Sequence, residues 1–253
     1  MYKGIEGGLK SIKILPMTIP LLLIAFSGCQ KVASSSIDTN AVYARIDAQA
    51  HQDGVTNIEV QLTVGAISNT VLELTGGDRL TATAGGVTKD LRRDSNILGD
   101  IKYVTEFNNG NDQGTEFKVS FDRQAGVSAP NSVALLPAPF TIDMPVSGDT
   151  FTRNDSIVVV WNPAGSFSDV INVDASGTCG NLQYSTSVSD PVDGAGMASY
   201  QAAELLPTTL QPGVNCETSI TLRRRDTGTI DSNFDGGYYT IEQRRTVTVN
   251  IVP

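Results

Sequence analysis

The chain has 253 residues, of which 40% are apolar and 18% charged, with three cysteines and one histidine. That length accommodates two domains of roughly 100 residues each, and the composition excludes both a disordered chain and a polytopic membrane protein. Eighteen basic residues against 27 acidic ones give a net charge of −9, which opposes phosphate backbones, so no nucleic-acid partner is expected.

Residues 1–28 open with Lys3, Lys10 and Lys13 against the single acid Glu6, followed by the apolar run Ile14–Phe26. Thirteen helical residues rise about 20 Å, short of a hydrocarbon core of roughly 30 Å, so the run reads as the apolar part of an export signal. Ser27 and Gly28 then precede Cys29. Phe26-Ser27-Gly28-Cys29 resembles the lipobox of bacterial lipoproteins, with Phe26 at a position where leucine is commoner. The resemblance implies cleavage before Cys29, diacylglyceryl transfer to its sulfur and further acylation of the new amino terminus. Gln30, where an aspartate would retain the protein at the inner membrane, implies sorting to the outer membrane. Residues 29–37 are short, small and polar and are expected to form a flexible tether.

From Asp38 onward the apolar period is two. Val42, Ala44, Ile46 and Ala48 alternate with polar residues, as do Ile58, Val60, Leu62 and Val64, and both stretches predict half-buried strands. Val71–Leu74, Arg79–Ala84 and the stretch from Val87 predict a meander turning on Gly76-Gly77 and Gly85-Gly86. Tyr103–Phe107 and Thr115–Phe121 predict a hairpin across the polar turn 108–114. Three prolines between Gly126 and Pro139 place a domain junction near Pro137, with Ser132–Leu136 a candidate edge strand. The expected units are an N-terminal sandwich over 38–136 and a C-terminal domain over 137–253.

In the second unit, Asp155–Pro163 resembles strand B of fibronectin type III domains, an alternating apolar strand ending in tryptophan and proline. Ser199–Leu222 resembles that family's strands E and F, with Leu210-Gln211-Pro212-Gly213 matching its Leu-x-Pro-Gly turn. The resemblance covers about half of residues 140–253 and implies an all-β chain of two tandem immunoglobulin-like β-sandwich domains. It also places Ile171–Val173 on strand C beside Ile220–Leu222 on strand F. Cys179 and Cys216 then fall at one end of those neighbours, where a disulfide is expected in an oxidising compartment.

Asp231, Asn233, Asp235 and Glu242 match the letters of an EF-hand loop, but strand-like flanks replace the required helices. Two readings remain: a calcium site between strands, or a hairpin turn favoured by Asn, Asp and Gly. Beyond calcium no cofactor is expected. Arg223-Arg224-Arg225 and Arg244-Arg245 are the basic clusters, and alternation along a strand splits the triplet between two faces. Exposed arginines pairing with Asp226, Asp231 or Glu242 are expected there. His51 is expected in an exposed strand or loop. With one histidine and no nucleophile-elbow sequence, no catalytic residue is assigned.

The sequence therefore reads as a lipid-anchored envelope lipoprotein, a non-enzymatic binding or structural module with an unidentified protein or glycan partner. The rival readings are a calcium-binding adhesion module and an envelope polysaccharide hydrolase or accessory.

Overall fold

The computed structural model describes residues 30–68, 70–95, 100–108, 112–162, 171–188, 196–208 and 213–253. Residues 1–28, expected as an export signal, together with Cys29, Pro163 and Leu210–Pro212, lie outside the described residues. Among those described, regular structure is almost entirely strand. The strands are β1 (Lys31–Ala33), β2 (Val42–Ala50), β3 (Thr56–Val64), β4 (Val71–Glu73), β5 (Arg79–Ala84), β6 (Val87–Asp90), β7 (Arg92–Ser95), β8 (Ile101–Phe107) and β9 (Glu116–Asp122). The series continues with β10 (Ala129–Leu135), β11 (Thr141–Met144), β12 (Thr150–Thr152), β13 (Ser156–Asn162), β14 (Ile171–Cys179), β15 (Leu182–Ser187), β16 (Met197–Gln201), β17 (Cys216–Thr227) and β18 (Gly236–Val252).

One large sheet, ordered β1-β4-β3-β2-β18-β17-β14-β15, backs the whole molecule. A four-stranded sheet, β10-β9-β5-β6, closes a first core against it, and a three-stranded sheet, β11-β13-β16, closes a second. The fold is all-β with immunoglobulin-like sandwich packing. In the second unit, one sheet ordered β11-β13-β16 faces another ordered β18-β17-β14-β15, the arrangement expected of strands A-B-E against G-F-C-C′.

Alternation does what period-two patterning requires. Val42, Ala44, Ile46, Ala48 and Ala50 are buried along β2, and Ile157, Val159 and Trp161 along β13. Gly85 and Gly86, both at positive φ, turn β5 into β6 as expected for a tight hairpin. The other half of the expected meander is a crossover, because β4 belongs to the large sheet and β5 to the small one.

The hairpin expected between Tyr103–Phe107 and Thr115–Phe121 does not form. β8 pairs with β3 and β7, whereas β9 pairs with β5 and β10, so the chain passes from one sheet to the other. The physical reason is the aromatic pair at the crossing. Phe107 and Phe117 are both buried and meet edge-to-face at 5.9 Å, so the crossing places both rings in the core between the two sheets.

The expected tether is also part of the fold. β1 pairs in parallel with β4, Ser34 is fully buried, and Ile37 packs against the first core. Arg123 holds this segment by donating to the carbonyls of Ser34 and Ile37, each at 2.7 Å, and to Thr39 Oγ1 at 3.0 Å. Its Nε lies 3.3 Å from Asp78 Oδ2 in a pair whose side chains are only 3% and 2% exposed. Small polar residues suit a leash, but their carbonyls equally suit a buried guanidinium with five donors to satisfy.

Leu136 belongs to the first core and Phe140 to the second, on either side of the expected junction. The chain nevertheless returns. β17 and β18 form a long hairpin whose far end leaves the second unit, and Gly236–Gln243 pairs in parallel with β2. Phe234, Tyr239 and Ile241 are thereby buried in the first core, so a division giving everything after 136 to the second unit does not hold. Gly237 lies so close to β2 that a Cβ there would stand 2.0 Å from the Ala44 carbonyl oxygen.

Candidate functional site

The two cores meet where β10 runs into residues 137–140 and where the basic runs of β17 and β18 face each other. Arg223 is opposite Arg244, and Arg224 is opposite Gln243. Alternation splits the runs as expected, but not into exposed groups alone. Arg224 and Arg245 point inward and are 1% and 7% exposed, and their guanidinium carbons lie 5.1 and 5.5 Å from the ring centre of Phe140. Arg224 donates to Ala138 O at 3.0 Å. Arg245 donates to Phe140 O at 2.8 Å, Ala50 O at 3.2 Å and Gln243 Oε1 at 3.0 Å. Carbonyls from both units and an aromatic face thus hold these cations. Burial, then the Arg224 charge, push the Arg245 guanidinium below its usual range.

The outward arginines pair differently from expectation in two of three cases. Arg225 reaches Glu242 Oε2 at 3.1 Å, as expected, but Arg223 pairs with Asp174 and Arg244 donates to Gln49 Oε1 at 3.2 Å. His51 lies half-buried in the turn after β2, with Nε2 3.3 Å from Asn57 Nδ2. Burial, then the Arg244 charge, lower its pKa.

Beside this seam opens a groove of about 690 Å³, within the size range of small-ligand pockets. Phe140, Ile142, Pro145, Val146 and Val247 supply its apolar lining, and Gln52, Ser147, Asn162 and Arg245 its polar groups. Val146 is 63% exposed at the rim. Such a surface can take an apolar group and orient it by a few hydrogen bonds. Phe140 escaped the sequence reading, although a lone aromatic following Pro137 and Pro139 at a junction is a usable signal.

Cys179 and Cys216 are directly opposed across β14 and β17 and joined by a disulfide. Val173 faces Leu222 in antiparallel register, which is the neighbour relation that the strand C and F reading requires. Residues 231–236 form the tip of the β17–β18 hairpin. Asp231 accepts backbone N–H groups on both carboxylate oxygens, from Asn131 at 2.7 Å and Asn233 at 2.9 Å. Asn233 Nδ2 donates to Ser128 O at 2.8 Å, and Phe234 stacks on Phe121 at 6.0 Å. Glu242 is held away on β18 by Arg225. Among the described residues, no group of three His, Cys, Asp or Glu side chains gathers as a metal site. The four residues proposed as calcium ligands are therefore not brought together, and Asp231 and Asn233 are occupied in docking the hairpin tip.

No protein-family model and no curated protein matches the chain. Solved structures similar to it include chicken CNTN1 FN1–FN3 domains, at 10% identity over 81% of this chain and 63% of that one, with a TM-score of 0.22. Fibronectin(III)-like modules of Clostridium thermocellum CbhA share 13% identity over 83% of this chain and 93% of theirs, with a TM-score of 0.24. Bacteroides ovatus SGBP-B of a mixed-linkage glucan utilization locus, in complex with a mixed-linkage heptasaccharide, shares 13% over 94% of this chain and 69% of that one, with a TM-score of 0.19. The chain spans less than two thirds of the first of these structures. The fold assignment accordingly rests on strand order and core placement.

Proposed function

We propose that this chain is a non-enzymatic binding or structural module of the bacterial cell envelope, carried on the outer membrane by lipid on Cys29 and presenting its seam groove to a protein or glycan. The observation that carries this reading is β18, a 17-residue strand that walls both cores. At about 3.3 Å per residue it runs roughly 56 Å through the molecule. A continuous sheet of that length resists bending between the units, which suits a part that holds a surface at a fixed distance. The buried arginines at the seam support the same reading, because Arg224 donates to Ala138 O and Arg245 to Phe140 O and Ala50 O, carbonyls on both sides of the joint.

Acylation of both the sulfur and the new amino terminus would give stable anchoring, whereas a single chain holds only marginally. The test is expression of the full chain in a bacterium fed a labelled fatty acid. The expected outcome is label in the membrane fraction that Cys29→Ser abolishes, with the variant moving to the soluble fraction. A wild-type chain that never takes up label, or a variant that keeps it, overturns the anchoring part of the proposal.

A further inference from the structure

We infer that the end of the first sandwich lies directly against the lipid bilayer, with the β3–β4 loop at Ile67 inserted among the headgroups and the second sandwich standing outward. This rests on the lipidation reading above. Only Gln30 separates Cys29 from β1, and Gln30 is itself tied down, because its carbonyl accepts the Val71 N–H at 2.9 Å. A lipid on Cys29 therefore fixes not only the location of the domain but which end meets the membrane.

The pairing identifies that end. β1 and β4 run in parallel from it, Lys31 beside Val71, while β3 arrives there antiparallel to β2. The loop between β3 and β4 thus projects past the start of β1. Gly65 N–H donates to Ala41 O at 3.0 Å, which brings residues 38–41 to the same end, and Thr39 Oγ1 bonds to Val127 O, which brings the β9–β10 turn there. Two of the exposed large apolar residues fall on these elements: Ile67, fully exposed, and Val127, 61% exposed. Single exposed apolar residues are ordinary, but two at the end nearest the acylation site share one apolar neighbour, the bilayer.

Surrounding groups fit an interfacial position. Arg45 braces the loop by donating to Ala66 O at 3.3 Å and lies 5.9 Å from the centre of the Tyr43 ring. Tyr238, 44% exposed, stands opposite Arg45 across the parallel pair. Tyrosine and arginine both favour the boundary between apolar and wet surroundings. β18 begins at this end and finishes at the other, beside Cys216, which directs the second sandwich and its disulfide away from the membrane.

The test uses the acylated full-length protein in vesicles of phosphatidylethanolamine and phosphatidylglycerol. After acylation of Cys29 and closure of the disulfide, Ile67→Cys supplies a single free thiol for an environment-sensitive fluorophore, and Asn154→Cys supplies one at the far end. The expected result is a blue-shifted emission, quenched by lipid-borne quencher, from the label at 67 and neither from the label at 154. A six-residue Gly/Ser insertion after Gln30 restores aqueous emission at 67 while the protein still floats with the vesicles. A floating protein whose label at 67 stays in water, or is unaffected by the insertion, overturns the inference alone. A protein that does not float removes the lipidation reading and this inference with it.

Discussion

The two sandwiches close by different means. The second draws its eight strands from residues 141–252, and a disulfide fastens the outer end of its larger sheet. The first is complete only when the β17–β18 hairpin of the second reaches into it, burying Tyr239 and Ile241 and stacking Phe234 on Phe121. Its amino-terminal edge depends on one buried cation, Arg123, rather than on a covalent bond. The difference teaches an asymmetry. Damage to the first unit can remain local, whereas damage to the second withdraws a wall from both.

Arg123→Ala should break the comparison on one side. It leaves Asp78 buried without its partner and frees the carbonyls of Ser34 and Ile37, a change that typically costs about 3–5 kcal/mol. Hydrogen exchange should show lost protection in β1, β4 and the flanking segment, with β14 and β17 retained. Trp161, the sole tryptophan, sits in the second core and should report an unfolding transition close to that of the unaltered protein. Equal loss in both units would remove the asymmetry.

Removing the disulfide by Cys179→Ala with Cys216→Ala tests the other side. The two cysteines are 37 residues apart, and the chain-entropy model gives a cost of about 4 kcal/mol, less where the denatured chain keeps structure. Both units should now lose stability, seen as weakened protection in β14 and β17 together with β2, which pairs with β18. Protection of β2 unchanged while Trp161 fluorescence moves to lower denaturant would show that the hairpin docks independently of the sandwich that supplies it.

Faces were legible in the sequence, and neighbours much less so. Period-two patterning placed Ile46 and Ile58 correctly inward, because a strand's alternation is a local property. The pairing of Cys179 with Cys216 followed from the sandwich resemblance. The crossover between β8 and β9 was hidden because the polar turn before Thr115 suits a hairpin and an inter-sheet connection equally. The parallel pairing of Gly236–Gln243 with β2 joins segments more than 190 residues apart, and a strand's own residues carry little information about so distant an edge. Arg224 and Arg245 were misread as surface groups because burial of a guanidinium depends on carbonyls and a ring supplied by residues 137–140. Asp231 looked like a ligand because the chemistry that suits a calcium loop also suits a carboxylate accepting two backbone N–H groups.

The smallest effect lies where the units touch. His51 has a pKa lowered first by burial and then by Arg244, whose own side chain bonds Gln49 on β2. The unfolded chain, with a histidine pKa near 6.5, therefore takes up a proton before the folded one does. A depressed histidine pKa contributes stability that is present above about pH 6.5 and is lost as pH falls through the folded value. Asp47 works in the opposite sense and in a more acidic window. Its pKa is raised by burial and then by Glu59, so its contribution is greatest below the unfolded aspartate value and declines as pH rises. Denaturant midpoints measured between pH 7.5 and 5 should fall slightly, and His51→Gln should flatten that slope without changing the response at lower pH, where Asp47 titrates. A slope that survives the substitution would place the proton uptake elsewhere and detach His51 from the stability of the seam.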